Sequence, residues 1–523
     1  MTPIDLPPIL TPEQMRAVDG RAIQGMGIPG LTLMEDAGRG IATRIRERLF
    51  DGECRDKRIG IVCGRGNNGG DGFVIARYLA EAGASVSIHL LGSIESLSGD
   101  ARVNADRAIA MGLSPQPVND SEQIPDFTAF DLLIDAIFGT GFCGPIDGVA
   151  AVVVAAMNRS GVRIVAVDTP SGLDGATGSV CDPTIKAHTT MTLAASKRGQ
   201  WLWPGRGYVG HLETIDIGIP PEAFAAQGTS LALITEVFIR QSLPSRPPDG
   251  HKGTFGKALI LGGSVGMSGA AALAANACMR AGVGLTYVGV PASLADLVDI
   301  KATEPVVLPL PEVRPRRVLA RRGLGEIIKH METVNAVAIG PGLSQHHETQ
   351  ELVRRLIVRR SKPTVLDADG LNACARDIAV LETACDVPLI ITPHVGEMAR
   401  LLGRETSDIA ADREAAAREA ASRFHCIAVM KGAPTFIAAP DGHVYLNPTG
   451  NSGMASGGVG DVLTGVIVSF LAQECGPLVA ALLGVYIHGL AGDFAAADVG
   501  ERSLVASDLI EALPEVLGYL ECE

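Results

Sequence analysis

Polar, glycine-rich loops follow directly on short runs of apolar residues throughout this chain, and that placement limits the folds open to it. Residues 58–63 (RIGIVC) lead into GRGNNGGDG at 64–72, residues 131–137 into GTGFCGP at 139–145, and residues 163–167 into DTPSGL at 168–173. Helical spacing intervenes, through Val74, Ala76, Tyr78 and Leu79 over 72–82 and again over 149–157. Strands alternating with helices predict a mostly parallel, doubly wound sheet. In such a sheet ligands bind beyond the carboxyl ends of the strands, which is where all three loops fall.

A second series of the same kind follows. Residues 257–261 run into GGSVGMSGAA and a helix, 334–339 into GPG, Val365-Leu366 into Asp367-Ala368-Asp369, Ile390-Ile391 into Thr392-Pro393-His394, and Val429-Met430 into Lys431-Gly432. The best boundary is the proline-bearing stretch 238–252 (FIRQSLPSRPPDGHK), whose composition resists both helix and sheet. At 523 residues the chain has ample length for two α/β domains, taken as 1–240 and 241–523.

Composition narrows the functions. With 44 basic against 58 acidic residues the net charge is −14, which argues against a nucleic-acid surface but leaves small phosphorylated ligands open, since backbone amides bind them. The start, MTPIDLPPIL, does not read as a secretory signal, and 258–279 holds too many glycines and polar residues for a membrane span. The ten cysteines are scattered without a CxxC pair, as in a reducing compartment, so the cytoplasm is expected. The apolar stretch 480–490 suits core better than interface, and a homo-oligomer is left open.

The loops carry the chemistry. In GRGNNGGDG the glycines permit positive φ or close backbone approach, and the following helix offers free N–H groups to an anion. Asn68, Asp135 and Ser171 supply oxygens that serve equally as hard-cation ligands or as ordinary loop hydrogen-bonding groups. Asp168 ends a strand, where it either exchanges a proton with a substrate or caps the next turn; Lys186 and Lys197 are candidate partners, each expected to be exposed. In GNSGMASGGVGD (450–461), Gly457, Gly458 and Gly460 leave a run of N–H groups open at a helix N-terminus. Asp461 would repel a phosphate there, so it reads as a base beside a reacting hydroxyl, or else as a helix N-terminal charge. An anion hole plus a base is the minimum for phosphoryl transfer to an alcohol. There is no GxxxxGK[ST] loop.

Taken together and in order, GRGNNGGDG, DTPSGL, HKGTFG, IGPG, TPHVGE, MKG and NPTGNSGMASGGVGD resemble the bifunctional NAD(P)H-hydrate repair enzyme family over nearly the whole chain. The resemblance implies a Rossmann-like epimerase domain (1–240) and a ribokinase-like α/β domain (241–523) that is an ADP-dependent dehydratase. It implies that Asn67, Asn68, Gly69, Gly70, Asp71, Gly139, Thr140, Gly141, Phe142, Cys143, Gly144 and Pro145 line the hydrated dinucleotide, with Asp168 catalytic at the ring. A potassium ion would be held by Asn68, Asp135 and Ser171. In the second domain Ala270, Gly342, His394 and Asp461 would contact the hydrated nicotinamide nucleotide, with Asp461 catalytic. Lys431, Gly432, Ala433, Pro434, Thr435 and Gly460 would hold ADP, with Mg2+ on its phosphates.

The implied substrates are the hydrates NADHX and NADPHX with ADP; no nucleic acid and no membrane is expected as partner. Thr169 and Val395 stand where the family more often has Ile and Pro, and Pro434 follows MKGA. The Asp461 loop alone would equally suit a small-molecule kinase of the same fold, and a binding protein without catalysis is the other rival. The GNNGGDG domain and the HKGTFG and TPHVGE motifs speak against the first, and the retained acids against the second.

Overall fold

A computed structural model describes residues 4, 6–225, 228–383 and 385–522. The chain divides into two compact units, Pro8–Thr229 and Ser230–Glu523, the second joined by the first residues of the chain. The division falls about ten residues before the boundary read from sequence. The reason is local: Leu231–Leu233 pairs as a strand with Val444–Asn447 of the second unit. The helix Glu236–Ser242 belongs there too, since Arg240 Nη1 donates to the carbonyls of Tyr519, Leu520 and Cys522 at 2.6–3.0 Å. Ile4 and Leu6 pack on the same core, and Pro7 O accepts from Leu233 N. Of the expected linker, only 243–252 lacks helix and strand.

In the first unit a seven-stranded sheet is parallel throughout, in the order β3-β2-β1-β4-β5-β6-β7. The strands are β1 (Arg58–Cys63), β2 (Ser85–Leu90), β3 (Gln116–Pro117), β4 (Leu132–Ala136), β5 (Ile164–Val167), β6 (Thr189–Leu193) and β7 (His211–Ile215). Alternation along β1 sends Ile59, Ile61 and Cys63 into one apolar layer and Val62 into the other, as a sheet covered on both faces requires. Sequence order reverses between β1 and β4, so the loops after those strands flank the switch point at which such sheets bind ligands.

The helix after β1 starts at Asn67, five residues earlier than its apolar spacing predicts. The first turns carry Asn, Gly and Asp rather than apolar residues, so periodicity does not register them. None of Gly64, Gly66, Gly69, Gly70 and Gly72 has a positive φ. Close approach demands them instead: a Cβ on Gly69 would collide with the Gly64 carbonyl oxygen, and one on Gly64 with that of Ile137.

The second unit holds a ten-stranded sheet, β11-β10-β9-β14-β15-β16-β17-β18-β19-β8. It comprises β8 (Leu231–Leu233), β9 (Lys257–Leu261), β10 (Leu285–Pro291), β11 (Val306–Leu310), β14 (Ala336–Ile339), β15 (Thr364–Leu366), β16 (Leu389–Ile391), β17 (Ile427–Met430), β18 (Thr435–Ala438) and β19 (Val444–Asn447). A separate antiparallel pair is formed by β12 (Glu312–Val313) and β13 (Val318–Leu319). Strands β9–β11 and β14–β17 are parallel, and β17, β18 and β19 turn antiparallel.

One layer of this unit is built from the helices Ser268–Arg280, Val459–Ala472, Pro477–Val499 and Ala506–Glu521. Among the described residues Pro477–Val499 is the one helix long and apolar enough to cross a membrane, and 78% of its apolar window is buried. It is the core helix of the unit. The crossing of Val459–Ala472 over Ser268–Arg280 turns on Gly465, where a Cβ would run into the Ala274 carbonyl oxygen. Overpacking of this kind costs ~1–3 kcal/mol. Gly465→Ala is therefore expected to lower the urea midpoint of the second unit; an unchanged midpoint would show slack at the crossing.

Candidate functional site

In the first unit the three loops converge at the carboxyl ends of the adjacent strands β1, β4 and β5. The backbone at 138–140 is their meeting point. Phe138 N donates to Ser171 Oγ at 2.9 Å, and Thr140 N donates to Asp168 Oδ2 at 3.1 Å. A Cβ on Gly139 would stand 3.0 Å from Asn68 Oδ1 and 3.2 Å from Asp168 Oδ2, so glycine here lets the chain pass between two site residues. Gly141, Cys143, Gly144 and Pro145 run on as exposed chain. The helix Asn67–Glu81 has no side-chain cap, which leaves its first N–H groups directed at the same region.

Asp168 is held from all sides. Its φ is +63°, a conformation that costs a non-glycine residue strain unless its surroundings fix it. Lys197 Nζ donates to Asp168 Oδ1 at 2.5 Å, to Thr192 Oγ1 at 3.0 Å and to Leu193 O at 2.9 Å, so its three hydrogens are committed. Gln200 Nε2 donates to the Asp168 carbonyl at 2.6 Å. Lys197 is 1% exposed, which corrects the expectation of a surface lysine. Lys186 is exposed, as read from sequence. Two further acids share the neighbourhood: burial raises Asp19 to about 6 and pushes Asp71 well above the usual carboxylate range, with repulsion from Asp168 adding to both.

Asp135 and Ser171 form a fully buried pair. Ser171 Oγ donates to Asp135 Oδ1 at 2.6 Å and Ser171 N to Oδ2 at 2.8 Å. Burial lifts the Asp135 carboxyl to about 6 despite these bonds. Among the described residues Asp135 forms no ion pair and the buried Asn68 Nδ2 has no hydrogen-bond partner.

In the second unit a cleft of about 460 Å³ opens beside the switch point between β9 and β14. Met267, Ala270 and Leu273 line one side; Gly342, Asp369, Glu397 and Asp461 line the rest with Gly457 and Gly458. No Lys, Arg or His is among its lining residues. The helix Val459–Ala472 starts here without a side-chain cap, on Gly458 at φ +94°. Asp461, in its first turn, is pushed up to about 7, first by burial and then by Asp367 and Asp369, against the opposing pull of Lys431.

His394 is not among the lining residues. Its Nδ1 accepts from Gly396 N at 3.0 Å as the N-cap of Val395–Leu402, and Glu397 of that capping box faces the cleft in its place. Lys431 is half-buried and its Nζ donates to Asp367 Oδ1 at 2.8 Å, and the following turn is braced by Arg413, whose Nη1 donates to Pro434 O at 2.7 Å and Nη2 to Ala433 O at 2.5 Å. Gly460 stands beside Lys431, whose Nζ would be 3.5 Å from a Cβ there.

Comparison with known proteins fits both units. The family model for the NAD(P)H-hydrate dehydratase matches residues 258–515, and that for the YjeF-related protein N-terminus matches 30–199. The bifunctional NAD(P)H-hydrate repair enzyme of Moorella thermoacetica is 44% identical over 519 residues, covering 98% of this chain and 97% of that one. The namesake from Thermofilum pendens is 36% identical over 510 residues, covering 97% and 95%. The chain belongs to the bifunctional NAD(P)H-hydrate repair enzyme family. A crystal structure of the ADP/ATP-dependent NAD(P)H-hydrate dehydratase from Bacillus subtilis, co-crystallised with ATP/Mg2+, is 33% identical, covers 55% of this chain and 98% of that one, and has a TM-score of 0.48.

Several residues around these sites escape a reading of the sequence alone: Gln200 and Asp19 in the first unit, and Asp367, Asp369, Glu397, Thr464 and Arg413 in the second. Asp367 and Asp369 did carry a signal, since they end a strand within a recognisable DAD. Lys197 is legible as a candidate partner of Asp168 but not as a buried one, because Arg198 and Gly199 beside it suggest surface. The buried Asp168–Lys197 pair makes a definite energetic demand. Removing one partner strands a charge and costs ~3–5 kcal/mol, whereas removing both leaves none. Asp168→Asn and Lys197→Met are each expected to destabilise the first unit more than the double substitution does, as read from denaturant midpoints; additive losses would mean that the pair is not coupled.

Proposed function

We propose that the chain repairs hydrated NAD(P)H. The first unit interconverts the R and S epimers, and the second dehydrates the S epimer with ADP, giving NAD(P)H, AMP and phosphate. The observation that carries the dehydratase reading is Asp461, a carboxyl raised to about 7 at an uncapped helix N-terminus that opens into the cleft. A base of that strength matches a hydroxyl proton near neutral pH. Asp461 takes the proton of the ring hydroxyl as its oxygen bonds to the β-phosphorus and the bridging bond to AMP breaks. The N–H groups of Val459 and Gly460 receive the charge that develops on the phosphoryl oxygens. The ring nitrogen then expels phosphate from the adjacent carbon, and loss of a ring proton restores the double bond.

The adenine nucleotide lies along 431–435 and Gly460, where Arg413 sets the turn. When bound, Mg2+ on the nucleotide phosphates supplies charge neutralisation that a cleft lined by acids lacks. The kinase alternative shares Asp461 but does not account for a first unit of this family.

In the first unit Asp168, fixed by Lys197 and Thr140, takes the proton of the ring hydroxyl as the bond between the hydrated carbon and the ring nitrogen breaks, leaving an open-chain aldehyde and a nitrogen that takes up a proton; the nitrogen then adds to the other face of the aldehyde, loses that proton, and the new hydroxyl oxygen takes one back. Asn67–Asp71 and 139–145 hold the dinucleotide about the switch point. The oxygen set at Asn68, Asp135 and Ser171 fits a potassium ion, because Asp135 is a buried carboxylate without a cationic partner among the described residues. An ion there would supply that positive charge and fix the 138–140 turn. All ten cysteines are free, which supports a reducing compartment, the cytoplasm.

The test is ultraviolet absorbance of a mixed-epimer NADH hydrate incubated with the chain, Mg2+ and ADP. Full recovery of NADH with formation of AMP is expected. Asp168→Ala should halt recovery near the fraction of one epimer, and Asp461→Asn should abolish it. Activity should rise with pH through about 7 as Asp461 loses its proton. Stability carries the opposite sign: a raised carboxyl binds a proton in the folded state that the unfolded state has lost, so stability falls between about 4 and 7. Asp461→Asn should therefore unfold at higher temperature than the parent at pH 8 and at a similar temperature near pH 4. No recovery with either ADP or ATP would return the chain to the kinase or binding-protein readings.

A further inference from the structure

Asp367 is 1% exposed and lies outside the cleft lining, yet it joins the two parts of the dehydratase site. Its Oδ1 accepts from Lys431 Nζ at 2.8 Å and its Oδ2 from Thr464 Oγ1 at 2.8 Å. Lys431 opens the nucleotide turn after β17, whereas Thr464 lies one turn beyond Asp461 on the helix Val459–Ala472. One carboxylate thus ties the nucleotide turn to the helix that carries the base. It also draws Lys431 Nζ up to the first turn of that helix, beside Gly460. Glu397 Oε2 steadies the same ammonium from 3.8 Å.

The charges facing Asp461 come from few elements. Asp367 and Asp369 reach it from the end of β15, Lys431 from the end of β17, and Glu397 from the helix Val395–Leu402. The helix Ser268–Arg280 turns Ala270 and Leu273 toward it. From Pro477–Val499 comes His488, whose Nε2 lies 2.9 Å from Val459 O; burial pushes its pKa down to about 4, so it is uncharged across the working range. Asp367 is the first-ranking charge acting on Asp461 after burial itself.

We propose that Asp367 is a positioning residue of the dehydratase: it holds Lys431 against the first turn of the Asp461 helix and sets the negative electrostatic field in which Asp461 acts as base. The inference rests on the dehydratase reading above. Loss of the Asp367 charge both removes repulsion from Asp461 and frees Lys431 to approach it, and both changes favour the ionised form of Asp461.

The experiment is the pH–rate profile of ADP-dependent NADH recovery from the S hydrate, using the full chain, Asp367→Asn and Thr464→Val, with folding followed by circular dichroism. Asp367→Asn is expected to move the acidic limb to lower pH, with kcat down about tenfold and the KM for ADP up about tenfold. Thr464→Val keeps the charge, so its limb should stay in place while kcat falls a few-fold. A folded Asp367→Asn whose acidic limb coincides with that of the parent overturns the proposal. Should Asp367→Asn fail to fold, Thr464→Val decides: a parental kcat overturns the tie to the helix. A parent inactive with both ADP and ATP defeats the dehydratase reading itself, whereas an active parent with an unshifted variant defeats only the role of Asp367.

Discussion

A carboxylate taken out of water at the end of a parallel strand needs a cation or a proton, and both units meet that demand in the same way. Asp168 accepts from Lys197, and the same ammonium bonds Thr192; Asp367 accepts from Lys431 and from Thr464. Each assembly joins groups from separate elements, so the carboxylate fixes their spacing. Breaking such a pair is costly because the survivor stays buried. Asp71, Asp135 and Asp461 form no ion pair among the described residues, and burial raises all three. The ion pairs fix the position of Asp168 and of Asp367, while Asp71, Asp135 and Asp461 are left to hold a proton or to meet a cation.

Glycine serves this arrangement through space more than through φ. Gly64 and Gly69 pack backbone against backbone beneath the first site, and Gly139 lets the chain run between Asn68 and Asp168. Gly465 does the equivalent in the second unit, bringing the Asp461 helix against Ser268–Arg280. Gly458 acts through φ, as Gly144, Gly342 and Gly432 also do: its positive φ turns the chain into the helix and leaves the first N–H groups bare.

How much of this was readable beforehand depends on whether the cause was local. The alternation of strands and helices, the loops at strand ends and the glycine-rich helix start are short-range patterns, and β1, β9 and the 64–72, 168–173 and 450–461 segments lie where those patterns put them. The start of Asn67–Glu81 was misplaced because its first turns carry no apolar periodicity. That 230–242 packs with the second unit has no local trace, because the pairing of β8 with β19 spans more than 200 residues. Lys197 and Asp367 owe their roles to burial by distant elements, which neighbours in sequence do not report.

The charge pattern of the second cleft completes the argument. Asp369, Glu397 and Asp461 line it without a Lys, Arg or His. Bare carboxylates would repel a diphosphate, so the site needs positive potential that does not come from side chains in the lining. The uncapped helix N-terminus supplies part of it through oriented N–H groups. Lys431, set just behind Gly460, supplies more without entering the cleft. In the proposed reaction Asp461 would contribute by its own protonation: with its carboxyl raised to about 7, the neutral form would ease approach of the phosphates and the ionised form would take the hydroxyl proton. A lower pKa would favour the base and oppose the nucleotide, while a higher one would do the reverse. The buried Asp367 beside Lys431 fits that compromise, because it offsets a lysine that would otherwise draw the balance toward the ionised acid.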